Sequence, residues 1–523
     1  MTTITPYRSD LRAGRDGFAQ LLRAEWTKFR TVRGWMIGMT AAALVTILLG
    51  VLFAAGSHSS CSKGPIEVAC PVTPVGPGGE AVDDRFYFVH KSLTGDGSIT
   101  ARVNTMTGQI RKPDVTPGVR NVISGVVPWA KAGVLIKEST KQGSAYAALM
   151  VTGSHGVRMQ HNFTEDVAGR PGGVSKESPR WLRLTRSGDT LTGYESADGT
   201  NWTKVGTARL AGLPSTVRVG LFATSPGDLT VGQAAIGGVT AAARFTEVTA
   251  VMDQVDLQGA VSGGPWSHDD VGVVSDVDGT PHHPGGVVES GGTFTVTGVG
   301  DMAPGTEGMA IERTLTGALS GLIVVIVMAV MFITAEYRRG LIRTTLIAAP
   351  GRGRMLAAKA TVIAMVTFVT GLIAAAVTVE VGTRMLRANG NPLLPVSPLT
   401  ELRVVVGTAA FLAVAAVFAL ALGVVFRRSV AAVVTAIVLI VLPYVLATTS
   451  VLPLSGAQWL LRLTPAAGFA IQQSVPEYAH VLGYYAPQMG YYPLAPWAGL
   501  AVTCGYAALA LGLAAFLLSR RDA

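Results

Sequence analysis

Six runs of about 20 apolar residues divide this chain: Trp35–Ala55, Leu315–Thr334, Ala357–Val379, Val404–Phe426, Val430–Thr449 and Trp497–Leu518. A helix of about 20 residues crosses a hydrocarbon core of about 30 Å. Lipid offers no partner to backbone polar groups, so runs of this kind enter it as helices. No other feature limits the fold as strongly. Only 14% of residues are charged, against about 25% in soluble domains. The deficit lies in the runs, whereas Asp83–Glu312 reads as a soluble insertion. The formal net charge is +9. Its basic residues cluster beside the runs, so membrane orientation accounts for them and nucleic acid is not an expected partner. The first run is too long, and too far from the start of the sequence, for a cleaved signal; it reads as a retained anchor.

Orientation follows from the stretch Ala335–Ala360, AEYRRGLIRTTLIAAPGRGRMLAAKA, between the second and third runs. It carries Arg338, Arg339, Arg343, Arg352, Arg354 and Lys359 against one acid, Glu336. A short basic connection between two spans marks the cytoplasmic side. Counting outward puts both termini inside. Residues 1–33 form a cytoplasmic N-terminus with a helix over Gly17–Gly34. Its apolar face (Phe18, Leu21, Leu22, Trp26, Phe29, Val32) suits the membrane surface; a cytoplasmic extension of the first span is the other reading. Residues 56–312 fall outside, 335–356 inside, and 451–496 outside. Arg427, Arg428, Arg520 and Arg521 mark the remaining inner boundaries, while the outer loops carry few arginines, Arg384 and Arg387 and then Arg462. Segment Val451–Pro496 carries Trp459, Phe469, Tyr478, Tyr484, Tyr485, Tyr491 and Tyr492. It reads either as an aromatic belt at headgroup depth or as containing a re-entrant helix around Ala457–Gln473. Glu380 and Arg384 read as an i,i+4 pair at the outer end of the third span.

The insertion alternates apolar and polar residues in short runs separated by turns such as Ser187-Gly188-Asp189, which predicts an all-β sandwich. Its expected core comprises Phe86, Ile99, Ala132, Val134, Tyr146, Leu149, Val157, Trp181, Leu182, Leu184, Tyr194, Trp202, Val219 and Leu221. Phe245–Val299 either completes the sandwich or forms an appendage. Cys61 and Cys70, placed outside, are expected to form a disulfide; Cys504 reads as a packing residue. Asp269, Asp270, His282 and His283 read as solvated turn residues, and no metal site is expected. No phosphate-cradling GxxxxGK[ST], HExxH, CxxC or GxSxG occurs, so nothing in the motifs argues for an enzyme.

The order of AEWTKFRTVRG, a span, and then five spans with AEYRRGLIRTTLIAAPGRGR after the second resembles ABC-2 type transporter permeases of actinomycete character, over Phe18–Ala55 and Leu315–Arg521. The resemblance implies an interfacial elbow helix and a coupling helix in the basic connection. It also implies a separate ABC ATP-binding subunit that carries the ATP, with no cofactor in this chain. Glu336, Tyr337, Arg338, Arg339, Gly340, Arg343, Thr344 and Thr345 would then meet that subunit. A second permease subunit, identical or different, completes such transporters, and short re-entrant helices precede the last span.

Family members have a small loop where this chain has its insertion. GSITARV, WAKAGVLIKES, AYAALMVT, GVRMQ and WLRLTRSGDTLTGYESADGTNWT resemble concanavalin A-like sandwich domains, which often bind carbohydrate on a concave sheet face. That likeness implies a glycan face from Trp129, Tyr146, Arg158, Gln160 and Tyr194, with Trp181 beside them; as core residues, Trp181 and Trp202 would play no such part. The expected function is an export permease. The alternative is a membrane-anchored carbohydrate sensor or cell-wall anchor.

Overall fold

The computed structural model describes residues 17–63, 66–68, 70, 72–113, 121–233, 239–275, 278–338, 340 and 351–520. Six helices in it are long and apolar enough to cross a membrane, the mark of a membrane protein. Helix α1 (Phe18–Thr31) stops at Val32, whose backbone is extended, and α2 (Arg33–Gly56) restarts at once. The N-terminal helix is therefore a separate element, not a straight continuation of the first span. After the β region, a 3-10 turn (Ile311–Gly317) leads into α3 (Ala318–Arg338).

Helix α4 (Arg352–Ala388) has 37 residues. At 1.5 Å per residue it reaches about 55 Å, well beyond a bilayer core. Its last turns hold the exposed Glu380–Arg384 pair. Helix α5 (Pro398–Phe426) starts at a Ser397 cap, whose Oγ accepts from Thr400 N, followed by Pro398 at the first helical position. Helix α6 (Ser429–Thr448) widens into a π-turn at Ile437–Val441 just before Pro443. Proline lacks an N–H and crowds the preceding turn, and the wider turn absorbs both effects. Helix α7 (Leu454–Leu463) and a buried 3-10 turn (Pro465–Gln472) precede α8 (Pro496–Arg520). The helices pack through small residues: a Cβ on Gly317 would collide with the Thr46 carbonyl, and one on Gly499 with that of Ala467.

The β region is built on one 26-residue strand, Phe86–Arg111. Its first part pairs with Thr216–Thr224, its middle with Arg180–Ser187, and its other edge with Thr246–Val261. One strand thus serves both layers of the sandwich. Outward from Thr216–Thr224 the order continues through Lys131–Lys137, Tyr146–Thr152, Val157–His161 and Glu165–Ala168. Ile99, Val134, Leu149, Leu182, Leu184 and Leu221 fill the space between the layers. Thr246–Val261 and Thr293–Gly298 belong to the same sheet, so the C-terminal part of the insertion completes the sandwich.

Three expected core residues, Trp181, Trp202 and Tyr194, are not core. Leu182 and Leu184 point inward, so the pleat turns Trp181 outward. It lies half-buried beneath the Arg102 guanidinium, and Trp202 lies beneath that of Arg183, at 5.5 and 3.9 Å. Tyr194, paired with Arg183, is on the same outer face and also half-buried.

Candidate functional site

Two sets of buried charges stand out, one in the sandwich and one at the arginine-bearing end of the helices. The first closes the face expected to bind sugar. Tyr146 and Gln160 are fully buried there and Trp129 is 4% exposed. The strands that enter and leave the insertion, Val82–Asp84 and Met302–Pro304, pair with each other. Each brings an aspartate to a buried lysine. Lys137 Nζ donates to Asp84 Oδ2 at 2.8 Å, and Lys131 Nζ to Asp301 Oδ1 at 2.6 Å. Lys131 also donates to Met302 O, Lys137 to Ser144 O, and Gly143 N to Asp84. The rings of Phe86, Tyr146 and Phe163 stand 5.3–5.8 Å from the Lys137 ammonium, within cation–π range. Burial pushes the Asp84 carboxyl up and the Lys137 ammonium down from their ordinary values, while each partner pulls the other back.

The segment between α7 and α8 seals the rest. His480 Nε2 donates to Phe163 O at 2.8 Å, and its ring meets the Trp129 edge-on. Trp129 stacks on His155 at 3.9 Å. Arg158 pairs with Asp166, which also accepts from Gln160 Nε2. The structure thus brings Trp129, Tyr146, Arg158 and Gln160 together but withholds them from solvent, and it puts Tyr194 on a distant strand of the same sheet. An open glycan face of those residues is corrected to a buried junction, because the chain's own connections and His480 occupy it. Burial lowers the His480 pKa first of all, and the Lys131 charge adds to that.

The second set joins α1, α3 and α4. Lys359, with no exposed side chain, donates at 2.6 Å to both Glu25 Oε2 and Glu336 Oε1. Lys28 bridges the same two acids at 2.8 and 3.4 Å, and the Lys359 ammonium lies 5.0 Å from the Phe332 ring. Among the residues expected to face a partner, Glu336 is engaged within the chain. On the last turn of α3 it points inward at α4, with 12% of its side chain exposed. Tyr337 is half-buried beneath the Arg427 guanidinium, whereas Arg338 and Gly340 are exposed. Arg339, Arg343, Thr344 and Thr345 lie outside the described residues. Sequence reasoning passed over Glu25 and treated Lys359 only as loop charge. The available signal was the solitary position of Glu25, the one acid in α1.

Cys61 and Cys70 form a disulfide with Cα atoms 5.0 Å apart. Asp269 accepts from His90, Asp270 from Gly285 N, and His283 stacks on Phe245. Among the described residues no group of three or more His, Cys, Asp or Glu is arranged to hold a metal ion.

No family model matches the sequence, and none of the curated proteins does. Solved structures do. A functionally unknown protein from Saccharomyces cerevisiae shares 13% identity, with 40% of this chain and 95% of that chain covered and a TM-score of 0.23. A scytalido-glutamic peptidase with a transition state analog inhibitor shares 8%, covering 40% and 97% at 0.25. SCP-B, of the eqolisin peptidases, in complex with a tripeptide, shares 8%, covering 41% and 98% at 0.24. These matches correct the exclusion of an enzyme drawn from missing motifs, because peptidases are among the structures the chain is similar to. At such TM-scores they carry no activity, ligand or residue role to this chain.

Proposed function

We propose that this chain is the membrane-spanning subunit of an ABC-2 type exporter, driven by a separate ATP-binding subunit and paired with a second permease subunit. In this reading the arginine-bearing end faces the cytosol and the sandwich caps the outer ends of the helices. The supporting observation is the Lys359 cluster. It ties the N-terminal helix to the two helices that flank the basic connection, Lys359 meeting Glu25 and Glu336 at 2.6 Å. A push on that connection would therefore reach three helices together, and two arrangements of them would give alternating access. The test is co-purification with an ATP-binding subunit encoded beside this chain. Arg338→Glu with Arg339→Glu is expected to abolish it, and unchanged recovery would contradict the reading. An anchored glycan sensor is the weaker alternative, since Trp129, Tyr146 and Gln160 are buried.

A further inference from the structure

A cavity of about 420 Å³ lies where α5 and α8 begin, bounded by the segments 473–477 and 492–496. A smaller one of about 230 Å³ shares Thr400, Ser474, Val475 and Pro476 with it and reaches the sandwich connection. The larger cavity is of the size that holds a small ligand, about 300–1,000 Å³. Its lining is mixed. Val475, Leu494 and the prolines at 476, 493 and 496 give apolar walls, and Tyr492 adds a ring.

The polar side of the cavity favours an anion. Arg403, half-buried on the second turn of α5, lines it. Its guanidinium donates to the Gln473 carbonyl at 2.7 Å and feels the charge of Glu312 through space. The nearby Glu312 carboxylate is already held by the N–H and Oγ of Ser474. Thr400, on the first turn of the 29-residue α5, lines the cavity too, and a helix N-terminus carries partial positive charge. The opposing acids are Glu477, exposed at the rim, and Glu401, exposed on the first turn of α5. Leu399, Leu402 and Trp497, on the same two helix ends, are 78%, 58% and 61% exposed. Such a belt fits the lipid boundary, and it places the cavity beside acyl chains.

We propose that this cavity binds an anionic amphiphile, with its acidic head on Arg403 and the first turn of α5 and its apolar part against Val475, Leu494 and Tyr492. A partly desolvated guanidinium with donors left over from the Gln473 carbonyl is a strong bidentate partner for phosphate. The proposal rests on the outward-facing placement in the transport reading, but its test does not need transport.

The full chain, purified in a neutral detergent without partner or ATP, is titrated with dioctanoyl phosphatidic acid and followed by native mass spectrometry. Dioctanoylglycerol, with the same tails and no charge, and inorganic phosphate are the comparison probes. The phosphatidic acid is expected to bind about tenfold or more tighter than either, and Arg403→Gln to lose that preference while Arg403→Lys keeps most of it. Equal binding of dioctanoylglycerol, equal competition by inorganic phosphate, or unchanged preference in Arg403→Gln would each overturn it. Because the isolated chain is used, loss of this site and loss of ATPase-subunit association are separate results.

Discussion

The two ends of the molecule bury lysines in different ways. In the sandwich, Lys131 and Lys137 each face one aspartate and one backbone carbonyl. The charges balance pairwise, and both acids lie at the strands that tether the domain. At the arginine-bearing end, Lys359 is shared by two glutamates from two helices, and Lys28, whose side chain is 42% exposed, opens the cluster to solvent. A one-to-one pair in a closed, aromatic site has a single good arrangement. A shared lysine with a wet edge can exchange partners at lower cost, because water replaces part of what is lost. The sandwich end is thus a fixed latch, and the other end is a joint suited to motion.

The largest expected effect comes from breaking the joint. Lys359→Met leaves Glu25 and Glu336 facing each other without their central cation. Removing one partner of a buried ion pair costs about 3–5 kcal/mol. The thermal unfolding midpoint of the full chain in detergent should fall accordingly, and adding Glu336→Gln should restore only part of it, since Glu25 still lacks its buried lysine. Full recovery would mean that the cluster is a simple pair.

The latch should respond otherwise. Lys137→Met alone is expected to cost a similar amount by stranding Asp84, whereas Lys137→Met with Asp84→Leu should recover most of the loss, as buried pairs replaced on both sides often do. A double variant no better than the single would erase the contrast. Gly317→Ala is next. Its methyl meets the Thr46 carbonyl between α2 and the start of α3, and overpacking of this kind costs about 1–3 kcal/mol. An unchanged unfolding midpoint would show that these helices can separate freely.

The smallest effect is one of pH. His480 is held neutral by burial, its folded pKa below the ordinary 6.5. The unfolded chain therefore binds the proton more readily, so stability at this junction is full above about pH 6.5 and is lost as pH falls from there through the depressed folded value. His480→Phe should flatten that part of the pH profile of unfolding. A slope of unchanged size would assign it to other groups.

Much of this architecture was legible in the residues. Hydropathy located the six apolar helices because desolvation acts on a whole run at once. It did not locate their ends: α4 continues through Arg384 and Arg387, since a helix stays hydrogen-bonded in water. Alternation identified the sandwich but not which side each aromatic faced. Trp181 and Trp129 illustrate this: the first, expected in the core, faces outward, and the second, expected on an open face, is buried. The buried lysines were hidden because lysine usually reads as surface. Only the fold shows that Lys137 meets Asp84 across 53 positions and Lys359 meets Glu25 across 334.

Sidedness is the claim on which the transport reading depends most directly. In a Cys504→Ala background, Arg354→Cys marks the arginine-bearing end and Thr207→Cys the sandwich, both at exposed positions. A membrane-impermeant maleimide added to intact cells should label Thr207→Cys and leave Arg354→Cys unlabelled until the membrane is opened. Labelling of Arg354→Cys from outside, with Thr207→Cys protected, would contradict the account.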